Sequence, residues 1–396
     1  MPIQFADRMS TVHRSFIREI LKVTEDASII SFAGGLPNPE LFPVSDLEKA
    51  AVKVMRECGP QSMQYSTTEG FEPLRKYIAD RYREKKGIEV DADEILITSG
   101  SQQCLDLLGK VFLNSGDNVL IERPGYLGAI QSFSVFQANF ITVGLEEDGP
   151  DLAELERVLD ENEVKMFYAV TNFQNPSGLT YSAEKRAGVA EILKGRDVLF
   201  VEDDPYGELR FMGEAHNPLV RGYLEENGIL LGSFSKVAAP GFRLGWMVCP
   251  TDVRDKLIIA KQASDLHTST FAQRVMYQYV TDNPLDDHIE KIRECYGNQR
   301  AAMVKAIDEF FPAEVEVTRP EGGMFLWVTL PDGMSSMDLF DEAIKNKVAF
   351  VPGRPFYVDG SGENTFRLNF SNSDEEHIVE GIKRLGAGIK EFLSKA

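Results

Sequence analysis

Apolar residues recur at two alternating spacings along the first 285 residues. Short apolar and β-branched runs of strand length occupy seven segments: 94–98, 118–122, 140–143, 166–170, 198–202, 228–232 and 245–248. Helical spacing fills intervals at 102–112, 151–159, 183–194 and 251–263, and Ser182 is placed to cap the third of these helices. Strands that alternate with helices predict an α/β fold whose large domain is built on a mainly parallel, seven-stranded sheet.

The pattern changes near residue 285, where a long charged helix is predicted over 287–310. Beyond it, strands are predicted at 315–318, 324–328, 349–352 and 365–369, and helices at 337–346 and 374–393. Ser373 opens a predicted capping box for the last helix. We therefore expect an N-terminal helical segment (1–30) that packs with the small domain, a large domain (31–285) and a small α+β domain (286–396).

The composition limits the possible partners and the cellular compartment. The 42 basic and 62 acidic residues give a net charge of −20, which argues against nucleic acid and anionic membranes as partners. The N-terminus lacks the apolar core of a signal peptide, and no apolar stretch reaches the length of a membrane span. The four cysteines are far apart and the five histidines are scattered. We therefore expect a cytoplasmic protein with reduced thiols and no metal site.

A single lysine, Lys236, lies in a loop of small residues that follows a predicted strand. Lysine forms a Schiff base when burial and neighbouring positive charge lower its pKa. Arg243 and the hydroxyls of Ser233 and Ser235 are close enough in sequence to bind a phosphate group beside it. Taken alone, such a loop is more often an ordinary exposed turn, so the hypothesis depends on the neighbouring motifs.

Polar residues follow three further predicted strands. Asp203 lies at the carboxyl end of a predicted parallel strand, where such a sheet faces a ligand crevice. Pyridoxal 5′-phosphate (PLP), a cofactor that forms a Schiff base with lysine, needs a carboxylate that keeps its pyridine nitrogen protonated. Asn175 precedes a proline and could point its amide at a ligand oxygen. The turn 98–103 joins a strand to a helix N-terminus, which is a ready phosphate site. Each motif also has a plain interpretation, as a solvated turn or a helix cap.

Nine ordered motifs carry a family resemblance. They are SFAGGLPNPELFP (31–43), QYSTTEGFEPLR (64–75), TSGSQQ (98–103), ERPGY (122–126), NFQNPSG (172–178), EDDPY (202–206), GSFSKVAAPGFRLGW (232–246), EGGMFLW (321–327) and VPGRPFY (351–357). On these motifs the chain resembles fold-type I, class I/II aminotransferases nearly from end to end. It is similar in particular to the subgroup of 2-aminoadipate, kynurenine and aromatic aminotransferases. The resemblance implies PLP as cofactor and ping-pong transfer of an amino group from an amino acid to a 2-oxo acid such as 2-oxoglutarate.

The resemblance also implies roles for individual residues in cofactor binding. Lys236 would carry the Schiff base and act as the general base, Asp203 would pair with the pyridine nitrogen, and Tyr126 would stack on the ring. The remaining donors would bind the ring oxygen or the phosphate: Asn175, Tyr206, Ser101, Gln102, Ser233, Ser235 and Arg243. Tyr65 would reach the phosphate of the neighbouring subunit, which implies a homodimer with shared active sites.

Substrate contacts follow from the same resemblance. Arg367 would clamp the α-carboxylate, a task suited to guanidinium geometry, beside Asn175 and the close backbone of Gly35. In this subgroup the N-terminal helix lies over the site, and Ser15 and Arg18 share one face of it. Arg18 could bind a side-chain carboxylate of the substrate, or it could pair with a nearby acid of the chain such as Asp26.

Two other functions stay open on the sequence. One is a different PLP reaction on the same fold, such as C–S β-elimination, because the sequence does not show which bond is held perpendicular to the ring. The other is the effector-binding half of a MocR-type transcription regulator. Such regulators carry a winged-helix domain and basic DNA contacts. We expect neither in this chain, because it opens on the enzyme-like helix and has a net charge of −20.

Overall fold

The computed structural model describes residues 3–9, 12, 20, 26, 28–224 and 228–395. Most of the N-terminal segment predicted over 1–30 is therefore outside the described residues, and so are Ser15 and Arg18. The fold and the site are described from the remainder of the chain.

Fourteen strands and twelve α-helices have their bounds within the described residues. The strands are β1 (Ile30–Ser31), β2 (Ile95–Thr98), β3 (Asn118–Arg123), β4 (Asn139–Glu146), β5 (Gly149–Pro150), β6 (Val164–Ala169), β7 (Leu199–Asp203), β8 (Gly228–Ser233), β9 (Gly245–Val248), β10 (Glu316–Val317), β11 (Phe325–Thr329), β12 (Val348–Ala349), β13 (Val351–Pro352) and β14 (Thr365–Asn369). The helices are α1 (Val44–Ser62), α2 (Glu72–Lys86), α3 (Ser101–Phe112), α4 (Leu127–Ser134), α5 (Leu152–Glu161), α6 (Ala183–Leu193), α7 (Leu219–Gly222), α8 (Thr251–Ser264), α9 (Thr270–Asp282), α10 (Leu285–Phe310), α11 (Ser336–Lys345) and α12 (Glu375–Leu393).

The seven strands predicted for the large domain form one sheet, to which the two-residue β5 adds an eighth strand at the edge. The strand order is β2-β9-β8-β7-β6-β3-β4-β5. The central neighbours β4, β3, β6, β7 and β8 run parallel, whereas β9 is antiparallel to both β8 and β2. Parallel strands end at a common edge, so the loops after β6, β7 and β8 open onto one crevice.

Buried apolar side chains explain why these runs form the centre of the sheet. Every residue of β2 and of β8 is buried, as expected for strands that are covered on both faces. Asp151 caps α5, and Ser182 caps α6 as predicted, since its hydroxyl accepts the Lys185 N–H at 3.1 Å. Both helices therefore begin close to the residues at which the sequence predicts them to begin.

The predicted cap of the last helix is one residue too early. Asp374 is the N-cap of α12, and its carboxylate accepts the His377 N–H at 2.8 Å. Ser373 lies before the cap, so its hydroxyl is not the group that satisfies the first turn. The two candidate capping residues are adjacent in sequence, and the extended backbone at Asp374 decides between them.

The C-terminal region forms a four-stranded antiparallel sheet in the order β10-β11-β14-β13. The strand predicted over 349–352 is divided in two. Its first part, β12, pairs in parallel with β1, and its second part, β13, pairs with β14. Between them Phe350 is fully buried, with its ring 4.4 Å from the ring of Phe366. Residues 30 and 31 therefore pair with a strand of the C-terminal region, outside the large sheet.

A buried arginine fixes the loop after β6 to the end of β7. Arg186 is fully buried, and its guanidinium N–H groups make five hydrogen bonds of 2.8–3.2 Å. The acceptors are Tyr181 O, Glu202 Oε1, Asn217 O, Thr171 O and Asn172 Oδ1. Glu202 balances the charge of Arg186, and every N–H donor of the guanidinium has an acceptor. This buried ion pair therefore stabilises the fold.

Three features bear on the class of protein. Across the described ranges, no helix combines the length and apolar character needed to cross a membrane. The same residues contain no group of three or more His, Cys, Asp or Glu that could hold a metal ion. The four cysteines are unpaired.

Candidate active site

A cavity of about 290 Å³ opens at the carboxyl ends of β6, β7 and β8, beside the N-terminus of α3. It brings together residues from distant parts of the sequence. Those predicted to bind cofactor or substrate are Gly35, Ser101, Gln102, Tyr126, Asn175, Asp203, Tyr206, Ser233, Ser235, Lys236, Arg243 and Arg367. Val170, Pro205 and Pro240 complete the lining, and the sequence analysis predicted no site role for them.

Lys236 places its amine in this cavity. Nζ donates to the carbonyl oxygen of Gly35 at 2.9 Å and lies 5.8 Å from the centre of the Tyr206 ring. Burial, and then the positive charges of Arg367 and Arg243, lower the pKa of Lys236 to about 8. A fraction of the amine is therefore unprotonated near neutral pH, as a nucleophile or a base requires.

The two oxygens of the Asp203 carboxylate have different surroundings. Oδ2 accepts a hydrogen bond from the Tyr168 hydroxyl at 2.7 Å, whereas Oδ1 is buried without a partner among the described residues. Burial raises the pKa of Asp203 to about 6, and the Tyr168 bond opposes that rise. Leaving a buried polar atom unpaired costs free energy, so the free oxygen is available to a ligand group.

Arg367 is fully buried at the centre of β14 and contacts two other parts of the chain. Nη1 donates to Asn175 Oδ1 at 2.8 Å, and Nη2 donates to Ala33 O at 2.7 Å. The guanidinium carbon lies 4.4 Å from the centre of the Phe325 ring. Burial lowers the pKa of Arg367 to about 10, which still leaves it charged. Neither bonded partner is an anion, so the site can accept a carboxylate.

The N-terminus of α3 forms one wall of the cavity. Gly100 precedes the helix with a φ of 79°, and a Cβ at this position would collide with Nη2 of Arg243. Arg243 itself has a φ of 50° and donates from Nη2 to Ser99 O at 3.3 Å. This close approach sets a guanidinium beside the free N–H groups of a helix N-terminus, an arrangement that attracts phosphate.

Hydroxyl and amide groups complete this wall. Ser233 donates from Oγ to Ser235 Oγ at 2.8 Å, so a hydrogen bond joins the two serine hydroxyls. The side-chain amide of Gln102 donates to Gly128 O and to Ser132 Oγ, at 3.0 and 2.7 Å. Since these bonds hold the Gln102 amide against α4, its backbone N–H is the group left for a ligand.

Two aromatic residues border the cavity near Asp203. Burial raises the pKa of Tyr126 to about 12, and it also raises the pKa of Tyr206 well above its usual value. Both phenols therefore stay protonated and can donate hydrogen bonds. The Tyr206 ring packs edge-on against Phe325, with 5.9 Å between the ring centres.

One predicted residue lies away from this cavity. Tyr65 is 79% exposed, and its ring packs edge-on against His267 at 5.8 Å. It contributes nothing to the cavity of its own chain, a position that suits a contact with a second subunit. Ser15 and Arg18 have no described position.

Three residues near the site were missed at the sequence level. Tyr168 contacts Asp203, and Phe325 and Ala33 contact Arg367. The alternation of β6 offers one signal, because residues two apart share a face of a strand and Val170 lines the cavity. Phe325 and Ala33 carry no comparable signal, since both resemble ordinary core residues.

The donor set fits PLP. The group needs an amine for its carbonyl carbon, a carboxylate for its pyridine nitrogen and a cationic site for its phosphate. The cavity contains the Lys236 amine, the unpartnered Oδ1 of Asp203 and the α3 N-terminus beside Arg243. These three groups line a single cavity.

Comparison with known proteins identifies the family. Residues 36–385 match the family model described as aminotransferase class I and II. The chain is 44% identical to aromatic-amino-acid aminotransferase 1 of Thermococcus litoralis, over 99% of this chain and 95% of that protein. It is 43% identical to 2-aminoadipate transaminase of Thermus thermophilus, over 98% and 97% of the two chains. The crystal structure of Pyrococcus horikoshii kynurenine aminotransferase superposes with a TM-score of 0.93 at 45% identity, over 98% and 97% of the chains. The chain therefore belongs to the class I and II aminotransferases and is a PLP-dependent enzyme of fold type I.

Proposed function

We propose that this aminotransferase binds PLP between Lys236 and Asp203 and binds the substrate α-carboxylate through Arg367. One observation supports this assignment above the others. An amine with a lowered pKa, a carboxylate oxygen without a partner among the described residues and a buried guanidinium line the same cavity. When bound, the cofactor supplies an electron sink that weakens the bonds at the substrate α-carbon.

The residues around the ring divide the work. Lys236 would hold the cofactor through Nζ, and its amine is placed to remove and return the proton at the substrate α-carbon. Asp203 Oδ1 would hold the proton on the pyridine nitrogen, and Tyr126 would stack on the ring. Asn175 accepts from Arg367 through Oδ1, and its amide N–H₂ is hydrogen-bonded to the Tyr206 hydroxyl, so these two side chains together would donate to the ring oxygen.

The phosphate contacts come from the wall built on α3. Arg243 provides the positive charge, and the backbone N–H groups at the start of α3 provide donors along the helix dipole. The residues that contribute are Ser101, Gln102, Ser233, Ser235 and Arg243. Gln102 and Arg243 are exposed, so this end of the cavity is open to an incoming cofactor.

The substrate range includes acidic, aromatic and branched or aliphatic amino acids, with a 2-oxo acid such as 2-oxoglutarate as acceptor. An apolar cluster that includes Trp327, Phe356 and Leu127 packs beside Arg367, whose guanidinium lies 5.6 Å from the Phe356 ring centre. Such a surface suits apolar side chains, and Arg18 would bind an acidic one. Asp26, the alternative partner of Arg18, accepts from Lys347 Nζ at 3.2 Å.

The enzyme acts as a homodimer with shared sites. Tyr65 is exposed, and so are the nearby apolar residues Val52, Met55 and Met63. A second copy of the chain would cover this surface and bring Tyr65 to the partner's phosphate. We assign 31–285 to the large domain and 286–396 to the small domain, and we expect the N-terminal segment (1–30), most of which lies outside the described residues, to pack with the small domain. The pairing of β1 with β12 supports the position of that segment.

Reduction of the holoenzyme with borohydride should fix the cofactor to the peptide that contains Lys236. Mass spectrometry locates the added mass. Lys236→Ala should lose the label, whereas Lys261→Met should keep it, although Lys261 is also a buried lysine. Attachment to the apoenzyme should accelerate as the pH rises toward about 8, because only the unprotonated amine reacts. A label on any other lysine would contradict the assignment.

Gly100→Ala should weaken cofactor binding about ten- to a hundredfold, because the new methyl group displaces Arg243, a charged donor to the phosphate. Gly116→Ala is the matched control, since Gly116 has a φ of 90° and no atom within 4 Å of the position that a Cβ would occupy. It should cost about 1–3 kcal/mol of stability through backbone strain and leave the dissociation constant unchanged. Equal affinities of the two variants for the cofactor would refute the proposal that Arg243 and the N-terminus of α3 bind the phosphate.

Arg18→Ala should reduce kcat/KM for 2-aminoadipate about ten- to a hundredfold and leave leucine almost unaffected. A charged hydrogen bond in a partly closed site is worth about 1.5–3 kcal/mol, and leucine has no charge to pair. The measurement is a panel of amino donors with 2-oxoglutarate for both proteins. Equal losses for the acidic and the apolar donor would mean that Arg18 only supports its helix.

Co-expression of Lys236→Ala and Tyr65→Phe subunits should give more activity than the two variants separately. In the mixed dimer one site has both substitutions, but the other combines Lys236 of one subunit with Tyr65 of its partner. Half of the sites in that dimer are therefore native. Activity equal to the sum of the separate variants, or a fully active monomer in sedimentation, would rule out shared sites.

A further inference from the structure

Tyr168 is the one hydrogen-bond donor that the described part of the chain places on the Asp203 carboxylate. The residue lies on β6, next to β7 in the sheet, and is 1% exposed. Its hydroxyl donates to Asp203 Oδ2 at 2.7 Å, and its ring packs edge-on against Phe133 with 6.1 Å between the centres. The contact is therefore a buried, short and directional bond between neighbouring strands.

This bond decides how the two carboxylate oxygens are used. A carboxylate that rotates freely could present either oxygen to the cavity, but the bond to Oδ2 leaves Oδ1 as the free one. The bond also favours the charged form of Asp203, against burial and the neighbouring charge of Asp204, both of which raise the pKa of that carboxyl.

We propose that Tyr168 is a positioning residue for transamination, whose hydroxyl directs Asp203 Oδ1 into the cavity and keeps the shared proton on the cofactor's pyridine nitrogen. The inference rests on the proposed pairing of Asp203 with that nitrogen. A hydrogen bond to a carboxylate stabilises its charged form, so the proton between the two groups favours nitrogen. Without the hydroxyl, the proton shifts toward the carboxyl oxygen, and the ring loses part of the positive charge on which electron withdrawal depends.

The test uses Tyr168→Phe holoenzyme reconstituted with PLP that carries ¹⁵N in its ring. The ¹⁵N chemical shift should move toward the value of an unprotonated pyridine. The kcat should fall about tenfold, the lower end expected for loss of a hydrogen bond to a charged group, and KM for the amino donor should stay within about twofold. A merely structural role would not move the nitrogen shift.

Tyr181→Phe is the matched control. Tyr181 is also fully buried, and its hydroxyl also donates to a buried carboxylate, Glu122 Oε1, at 2.8 Å. The two variants remove the same group from equally buried sites, so they should lower the thermal midpoint by similar amounts. Only Tyr168→Phe should change the ¹⁵N shift. Equal shifts in both variants would overturn the inference.

Asp203→Asn separates this inference from the proposed function. If Asp203→Asn leaves the ¹⁵N shift of the wild-type protein unchanged, the pairing of Asp203 with the nitrogen is wrong. If Asp203→Asn moves the shift and Tyr168→Phe does not, the pairing stands and the role of Tyr168 is refuted. The expected order of displacement from the wild-type shift is Asp203→Asn, then Tyr168→Phe, with Tyr181→Phe at the wild-type value.

Discussion

The hydrogen bonds of the buried Arg367 guanidinium join three distant parts of the chain at the site. Arg367 lies on β14 of the four-stranded C-terminal sheet and binds Asn175 from the loop after β6 and Ala33 from the segment that precedes α1. Burial of a charge costs several kcal/mol unless hydrogen bonds or an opposite charge compensate it. Here the bonded partners are two neutral oxygens, and Nε has none among the described residues. The compensation is therefore incomplete until an anion binds.

This incompleteness separates the groups that serve function from those that serve the fold. Arg186 is as deeply buried as Arg367, but it pairs with Glu202 and all its donors are used. Asp203 keeps one oxygen free of contacts with the described residues, and the Lys236 amine donates to a backbone carbonyl at the cavity wall. The groups that line the cavity therefore carry a local cost in stability, as is common at functional sites.

Contacts from neighbouring residues determine the orientation of Arg243 and Asp203. Gly100 lets Arg243 approach the start of α3, and the Tyr168 hydroxyl donates to one oxygen of Asp203. A one-carbon change at Gly100, or the loss of one oxygen atom at Tyr168, removes no backbone hydrogen bond of the main sheet. Each would nevertheless alter the position or the charge of a group to which we assign a cofactor contact, because hydrogen bonds in a buried site depend steeply on geometry.

The sequence alone determined the central sheet, the family and most of the cavity lining. Continuous apolar runs must be buried, and the polar residues that follow parallel strands must meet at one edge, so local patterns carry this information. Only the tertiary structure decided which residue caps α12, how the run 349–352 divides between two sheets, and what contacts Asp203 and Arg367. Tyr168 and Phe325 resemble core residues in the sequence. Their roles depend on which side chain a neighbouring strand places opposite them, and the strand's own composition does not specify that.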